Sequence, residues 1–93
     1  MKGEIFLRNE LLATINNAID NSEVLFMDIH AGSIGASISF VPDYVDEGST
    51  NIVIYSEDNI YTIDTTDISW DEMEEKFVCG NKNCIVYIFT EQY

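Results

Sequence analysis

The amino-acid sequence predicts an α+β fold in a single domain, and three observations lead to this class. The chain has 93 residues, which suits one domain, and 46% of them are hydrophobic, which is enough for a small core. One segment near the start has the three- and four-residue spacing of an amphipathic helix, whereas several later segments have the composition and alternation of strands. No repeat or Pro/Gly-rich linker divides the chain. We therefore expect residues 1–93 to form one compact domain.

The first predicted element is a helix over residues 4–20. Its apolar stripe consists of Leu7, Leu11, Leu12, Ile15, Ala18 and Ile19. Asn21 and Ser22 then break the helical period. Residues 23–31 follow as a strand that is apolar on both faces, which is typical of a strand inside a sheet.

The middle of the chain is predicted to contribute three more strands. Apolar residues and serines alternate over 36–40, as in a half-buried strand. The segment 51–64 is rich in β-branched residues and is interrupted by a polar turn at 57–59, so it predicts a β-hairpin. We expect the intervening residues 42–50, which carry three acids, to form a loop.

A second helix is predicted after the hairpin. Ser69 and Glu72 have the spacing of a capping box, in which each side chain satisfies a backbone amide at the helix start. One face of this helix would carry Trp70, Met73 and Phe77. Gly80 would end the helix, and residues 84–90 would form the last strand. The predicted order is therefore α-β-β-β-β-α-β, with an antiparallel or mixed sheet and the helices packed on one face.

The charge of the chain is strongly negative and unevenly placed. There are 17 Asp and Glu residues against 4 Lys and Arg, so the net charge is −13. Residues 1–40 carry −3 and residues 41–93 carry −10, and between Asp43 and Glu75 there are 11 acids and no Lys, Arg or His. Four cations cannot neutralise a row of phosphates, so we expect no direct nucleic-acid binding. Surfaces normally mix both signs, and such a concentration of one sign predicts a recognition surface.

Carboxylates on a strand, a turn and a helix can approximate a track of phosphates, and a groove lined with Lys and Arg would attract them. The candidate partner-binding residues are Asp43, Tyr44, Asp46, Glu47, Glu57, Asp58, Asp64, Asp67, Asp71, Glu72 and Glu75. Tyrosine is enriched at binding hot spots, and the chain has Tyr44, Tyr55, Tyr61, Tyr87 and Tyr93. Of these, Tyr44 in the acidic loop is the candidate for an exposed apolar anchor.

The same acids also have a simpler interpretation. Asp71 and Glu72 would be stabilised by the dipole of a helix that begins at Ser69, and acids in turns are ordinary solvated residues. A high net charge also favours solubility. The sequence leaves a functional acidic face and a merely solvated one as alternatives.

Motifs for catalysis or cofactors are absent from the sequence, so we expect neither an enzyme nor a cofactor. The acids lack the spacing of a calcium loop, and Cys79, Cys84 and His30 together are one ligand short of a tetrahedral zinc site. Asp28 and His30 would lie on the same side of a strand, which is the one arrangement that could orient an imidazole for base catalysis. A small metal-binding or hydrolytic domain built on this pair and the acids is the alternative from another functional class.

The cellular compartment is inferred from the start of the chain and from its cysteines. Glu4 and Arg8 interrupt any apolar segment of a secretory signal, and the longest apolar run is too short to span a membrane. We therefore expect a cytoplasmic protein with no membrane contact, in which Cys79 and Cys84 are reduced thiols.

In size, charge and layout, with a cation-free stretch from Asp43 to Glu75, the chain resembles the small acidic inhibitors that phages and mobile elements encode, such as anti-CRISPR proteins and anti-restriction DNA mimics. The resemblance implies a protein that blocks the nucleic-acid site of a defence effector, for example the arginines that read a PAM. Immunity proteins that neutralise basic nuclease toxins have the same profile and remain an alternative. A monomer or a small homo-oligomer, paired through free strand edges, is compatible with the sequence.

Overall fold

Nine elements follow one another in the computed structural model, which describes residues 3–81 and 83–91. They are α1 (Glu4–Asn21), β1 (Leu25–Ala31), β2 (Ile34–Phe40), β3 (Tyr44–Glu47), β4 (Asn51–Ser56), β5 (Asn59–Asp64), β6 (Ser69–Asp71), β7 (Lys76–Asn81) and β8 (Cys84–Thr90). The strands form a five-stranded sheet of order β2-β1-β8-β7-β6 and a three-stranded sheet of order β3-β4-β5. All pairs within both sheets are antiparallel. The α+β class in a single compact domain is thus confirmed.

Helix α1 agrees with its prediction in extent and in buried face. Leu7, Leu11, Ile15 and Ala18 recur at three- and four-residue steps, and all four are buried. Ser22 ends the helix in the left-handed conformation, with φ 52°, and its N–H donates to the carbonyl of Ala18. The turn that the sequence predicts after residue 20 is therefore the observed helix end.

The helix and both sheets share one hydrophobic core. α1 contributes Leu7, Leu11 and Ile15, the three-stranded sheet contributes Ile52, Ile54 and Ile63, and the five-stranded sheet contributes Leu25, Met27, Phe77, Cys79 and Ile88. One side of each sheet faces this core. The opposite sides carry no residue of the buried class among those that the structure describes, so both sheets present an outward face to solvent.

The second helix predicted from the capping box is wrong, because residues 69–81 form the hairpin of β6 and β7. The carboxylate of Asp71 accepts hydrogen bonds from the N–H groups of Met73 and Glu74, and Glu75 adopts a positive φ of 56°. A capping box is worth about 1 kcal/mol. Pairing of β7 with β8 buries Phe77 and Cys79, which alternate with Val78 along the strand. This tertiary burial outweighs the local preference for a helix.

Trp70 and Phe77 are adjacent for a reason other than helical spacing. They are direct partners across the β6–β7 ladder, and their rings meet edge to face with centroids 4.9 Å apart. Met73 lies in the turn and is 95% exposed. A separation of seven residues therefore brings two aromatic rings together in a hairpin as well as on a helix.

The prediction that residues 42–50 are a loop is wrong in its middle, where β3 pairs with β4. Val45 faces the core side while its neighbours Tyr44 and Asp46 are exposed. Because acids are rare in strands, the acids of this segment favour a loop when the sequence is considered alone. β3 can nevertheless form a strand because it lies at the edge of its sheet, where charged residues are tolerated. The added strand gives the chain a second sheet, so the prediction of one sheet with helices on one face is corrected to one helix and two sheets.

Within the described residues, α1 is not apolar enough over its length to cross a membrane.

Candidate functional site

The outward side of the three-stranded sheet carries the first group of predicted site residues. We include the residues that lie on its strands, on the turn between β4 and β5, and directly before β3: Asp43, Tyr44, Asp46, Val53, Tyr55, Glu57, Asp58, Ile60 and Asp64. We call this set the acidic sheet face. It combines an apolar centre with acids around it.

An apolar row crosses the acidic sheet face from edge to edge. Tyr44 is paired with Tyr55, and Tyr55 with Ile60, so the three side chains stand side by side on adjacent strands. Tyr44 is 57% exposed and Ile60 is 64% exposed, and the two tyrosine rings are tilted with centroids 5.6 Å apart. Large apolar side chains that remain open to solvent and adjoin one another are typical of a binding surface.

Carboxylates gather along one side of this row, where β4 turns into β5. Asp43 precedes β3, yet its carboxylate accepts a hydrogen bond of 2.7 Å from the N–H of Glu57 in the β4–β5 turn. The N–H of Asp43 in turn donates to the carbonyl of Tyr55. Two residues that are 14 positions apart are therefore in contact, with Asp58 next to Glu57 in the same turn. Of the predicted acids, Asp43 and the hairpin-turn acids Glu57 and Asp58 are brought together here.

Asp46 and Asp64 add charge on the flat part of the face. They lie on the two outer strands, β3 and β5, and Asp64 is two residues along β5 from Thr62, which shares the cross-strand row of Asp46. Two strand spacings and this offset place their backbones about 12 Å apart. The hydroxyl and the N–H of Thr66 both donate to Asp64, and these hydrogen bonds lower the pKa of its carboxyl. The charged form of Asp64 is therefore favoured relative to that of an ordinary aspartate.

Glu47 behaves differently from the other predicted acids. Its carboxylate lies 3.5 Å from the guanidinium of Arg8, which reaches over from α1. Arg8 also donates to the hydroxyl of Thr65 and to the carbonyls of Asn51 and Gly48. Glu47 is thus partly neutralised, and its main role in this structure is to help hold α1 against the three-stranded sheet.

A second group of predicted acids lies on the other sheet. Asp71, Glu72 and Glu75 are in or beside the turn between β6 and β7, at the edge of the five-stranded sheet, together with Glu74. Asp67 lies between the groups, at an exposed position in the connection from β5 to β6. The 33-residue acidic segment is therefore divided between a sheet face and a separate hairpin turn.

The cations in the described part of the chain, Arg8 and Lys76, are both engaged elsewhere. Lys76 lies 3.8 Å from the carboxylate of Asp28, and its ammonium is 4.3 Å from the centroid of the Phe89 ring. Lys2 and Lys82 lie outside the described residues. Within the described ranges, neither ion pair involves a residue of the acidic sheet face.

The residues considered for metal or base chemistry are distributed as follows. No three His, Cys, Asp or Glu side chains within residues 3–81 and 83–91 are grouped so as to hold a metal ion. Asp28 and His30 do lie on one side of β1, but Asp28 faces Lys76, and the His30 ring meets the edge of Tyr87. Cys79 and Cys84 are not joined by a disulfide, and burial raises the pKa of Cys79 to about 12.

Sequence reasoning found Tyr44 but missed two of its neighbours. In the sequence, Tyr55 is one tyrosine among five, and Ile60 stands out only as part of a predicted strand. The register of the predicted hairpin could have identified them. A hairpin over 51–64 with its turn at 57–58 places Tyr55 directly opposite Ile60. Tyr61 instead lies on the core side, stacked on Phe40 at 4.4 Å, and Tyr93 lies outside the described residues.

Comparisons with protein-family models, with curated protein sequences and with solved structures find no significant match to this chain.

Proposed function

We propose that this protein is a non-enzymatic inhibitor that docks its acidic sheet face into a cationic nucleic-acid-binding site of a partner protein. The observation that carries the proposal is the apolar row Tyr44–Tyr55–Ile60, whose two outer side chains are exposed. It is bordered by carboxylates that form no ion pair with the cations in the described part of the chain. In this mode the carboxylates take the places of phosphates on Lys and Arg side chains of the partner. The partner is a basic nucleic-acid-binding protein, such as a CRISPR effector or a nuclease.

The two components of the face have separate roles in this proposal. The acids accelerate encounter with a basic groove, because opposite potentials steer association. The apolar row supplies contact area that slows dissociation, because Tyr side chains bury much surface at a small entropic cost. The acids of the β6–β7 turn, with Asp67, extend the negative potential beyond the face and would contact the rim of the same groove.

Charge reversal on the face tests the role of the acids. The bait is the immobilised full chain, exposed to host lysate at low and high salt, with the bound proteins identified by mass spectrometry. The expected result is a basic nucleic-acid-binding protein that is retained at low salt and released at high salt. Its association rate should fall about tenfold or more in a Glu57→Lys/Asp58→Lys variant.

A matched control uses acids away from the face. Asp20 and Glu23 are exposed near the end of α1, and their reversal to Lys changes the net charge by the same amount. Equal losses in both variants would reduce the effect to overall charge and would refute a defined site. Tyr44→Ser should leave the association rate nearly unchanged and increase the dissociation rate.

The identity of the captured protein decides between partner classes. A CRISPR or restriction effector corresponds to the anti-defence role, whereas a co-encoded nuclease toxin, together with rescue of cells that express it, corresponds to an immunity protein. Capture of no basic protein at low salt would contradict the proposal as a whole.

A further inference from the structure

Strand β2 (Ile34–Phe40) is a free edge of the five-stranded sheet. It pairs with β1 on one side, and it is the last strand in the order on the other side. The residues from Ile34 to Ser37 and Ser39 are exposed, and Ile34 is 72% exposed. Among the described residues, no further backbone hydrogen bond occupies the outer edge of this strand. The outer N–H and C=O groups of β2 are therefore available for pairing.

The sequence of β2 lacks the devices that usually protect a sheet edge. Natural edges carry Lys, Pro, a bulge or another charge that prevents a second strand from adding. β2 has no charged residue and no proline, and its register with β1 is unbroken over all seven residue pairs. Indeed, the whole segment 29–42 contains no Asp, Glu, Lys or Arg, in a chain with 17 acids.

The two edges of the sheet are opposite in character. The far edge is β6, which leads into the turn that carries Asp71, Glu72, Glu74 and Glu75. Four strand spacings separate β2 from β6, which is about 19 Å at 4.8 Å per strand. The Debye length is about 8 Å at physiological ionic strength, so a partner at β2 is largely screened from the acids at that edge.

We propose that two copies of this chain associate through β2, which pairs with β2 of the second copy to form one continuous sheet across the dimer. A two-fold axis places identical strands antiparallel, with the middle residue, Ser37, close to Ser37 of the other copy. A second copy suits this edge because it brings an equally uncharged strand, and both acidic edges point away from the contact.

The expected dimer is reversible. A contact between two seven-residue strands buries less than the roughly 800 Å² per partner of a standard interface. The monomer also retains its own core, since β2 contributes only its partly buried Ile38 and Phe40 to it. Because the −13 charge makes the copies repel one another, salt should strengthen this association, the reverse of its effect on the binding proposed above.

The test is sedimentation equilibrium of the full chain from about 10 μM to about 1 mM, at low and high salt. The expected result is a shift from 10.6 kDa toward twice that mass as concentration or salt rises. Ser37→Lys should weaken the dimer at least tenfold, because two like charges would then face each other across the strand pair. This substitution makes the net charge less negative, so a dimer formed elsewhere would be strengthened by it.

Ser69→Lys is the matched control. Ser37 and Ser69 are the two ends of one cross-strand row, which runs through Asp28, Tyr87 and Val78 on the same outward face. The dimer should persist in Ser69→Lys and be lost in Ser37→Lys, with both variants folded by circular dichroism. A wild-type chain that remains monomeric at the highest concentration and salt would overturn the proposal. Equal behaviour of the two lysine variants would overturn it as well.

Discussion

Arg8 connects α1 to the three-stranded sheet through several hydrogen bonds. Its side chain is 19% exposed and donates to Thr65 and to two backbone carbonyls of the segment 48–51. Arg8→Met keeps the aliphatic stem but removes these charged hydrogen bonds. We expect the free energy of unfolding in urea to fall by about 2 to 3 kcal/mol, the usual value of hydrogen bonds to a charged group.

Glu47→Gln separates the hydrogen bonds of Arg8 from its ion pair. Glu47 is 51% exposed, so loss of its charge should lower the free energy of unfolding by less than about 1 kcal/mol. Arg8→Lys should recover only part of the loss in Arg8→Met, since an ammonium lacks the fork that reaches several acceptors. A larger effect for Glu47→Gln than for Arg8→Met would contradict this assignment.

Asp64 is the residue whose ionisation the structure alters most clearly on the acidic sheet face. Hydrogen bonds from Thr66 lower its pKa from the ordinary value of 3.8. The stabilisation from these bonds is therefore present above pH 3.8, and it is lost as the pH falls through the lower pKa of the folded state. A carboxyl titration by NMR should place the midpoint of Asp64 below 3.8.

Thr66→Ala removes the hydroxyl donor but leaves the backbone N–H of residue 66 in place. The pKa of Asp64 should then rise part of the way toward 3.8. Thr62 is exposed on β5, the strand that ends with Asp64. Thr62→Ala is therefore the control and should leave the pKa of Asp64 unchanged. If the midpoint of Asp64 were the same in wild type and Thr66→Ala, the hydrogen bonds would not be its cause.

At the scale of elements, α1 and the 51–64 hairpin could be predicted because each has one dominant local signal. For α1 it is a stripe of apolar residues that ends at a turn, and for the hairpin it is two β-branched runs around a polar turn. The hairpin of β6 and β7 could not be predicted in the same way. Its seven-residue spacing of aromatics and its capping box fit a helix locally, and the strand state is stabilised by pairing with β8.

The candidate site was predictable in its charges but not in its geometry. Acids could be counted along the chain. The contact between Asp43 and Glu57 instead depends on the pairing of β3 with β4, and β3 could not be predicted because its acids are untypical of a strand. The roles of the acids also depend on the fold, since Arg8 comes to Glu47 from a distant helix. Sequence therefore identified the composition of the surface, and register determined which side chains adjoin.

The hairpin of β7 and β8 requires a glycine at position 80. The sequence predicts Gly80 at the end of a helix, whereas the residue lies within β7 opposite Ile85 and has a positive φ of 101°. A Cβ at this position would collide with the carbonyl oxygen of Cys84. Gly80→Ala should therefore lower the free energy of unfolding by about 1 to 3 kcal/mol in a urea titration.

Gly35→Ala is the control for Gly80→Ala, because Gly35 is also in a strand but a methyl group added there would meet only ordinary van der Waals contacts. Its expected effect is neutral or stabilising by up to about 1 kcal/mol. A Gly80→Ala variant as stable as Gly35→Ala would show that β7 can adjust its backbone without cost.

At the scale of the whole molecule, negative charge and stability are opposed. The acids on the acidic sheet face and in the β6–β7 turn repel one another, and the described cations are paired with Glu47 and Asp28. A net charge far from zero destabilises a compact state. A recognition surface made of carboxylates therefore lowers stability when no partner is bound, and this cost can be measured without knowing the partner.

We expect the melting temperature to rise with ionic strength, by roughly 4 to 8 °C between low salt and about 0.5 M, which corresponds to about 1 kcal/mol for a domain of this size.

In Asp46→Lys/Asp58→Lys the net charge changes from −13 to −9, because each substitution removes one negative and adds one positive charge. This variant should melt higher than wild type at low salt, and the difference should shrink at high salt. Asp46→Asn/Asp58→Asn, at −11, should fall between the two. A melting temperature that is independent of salt in all three proteins would contradict the repulsion. If the lysine variant is more stable and yet no longer binds the partner, the loss of binding results from the changed charges on the acidic sheet face and not from unfolding.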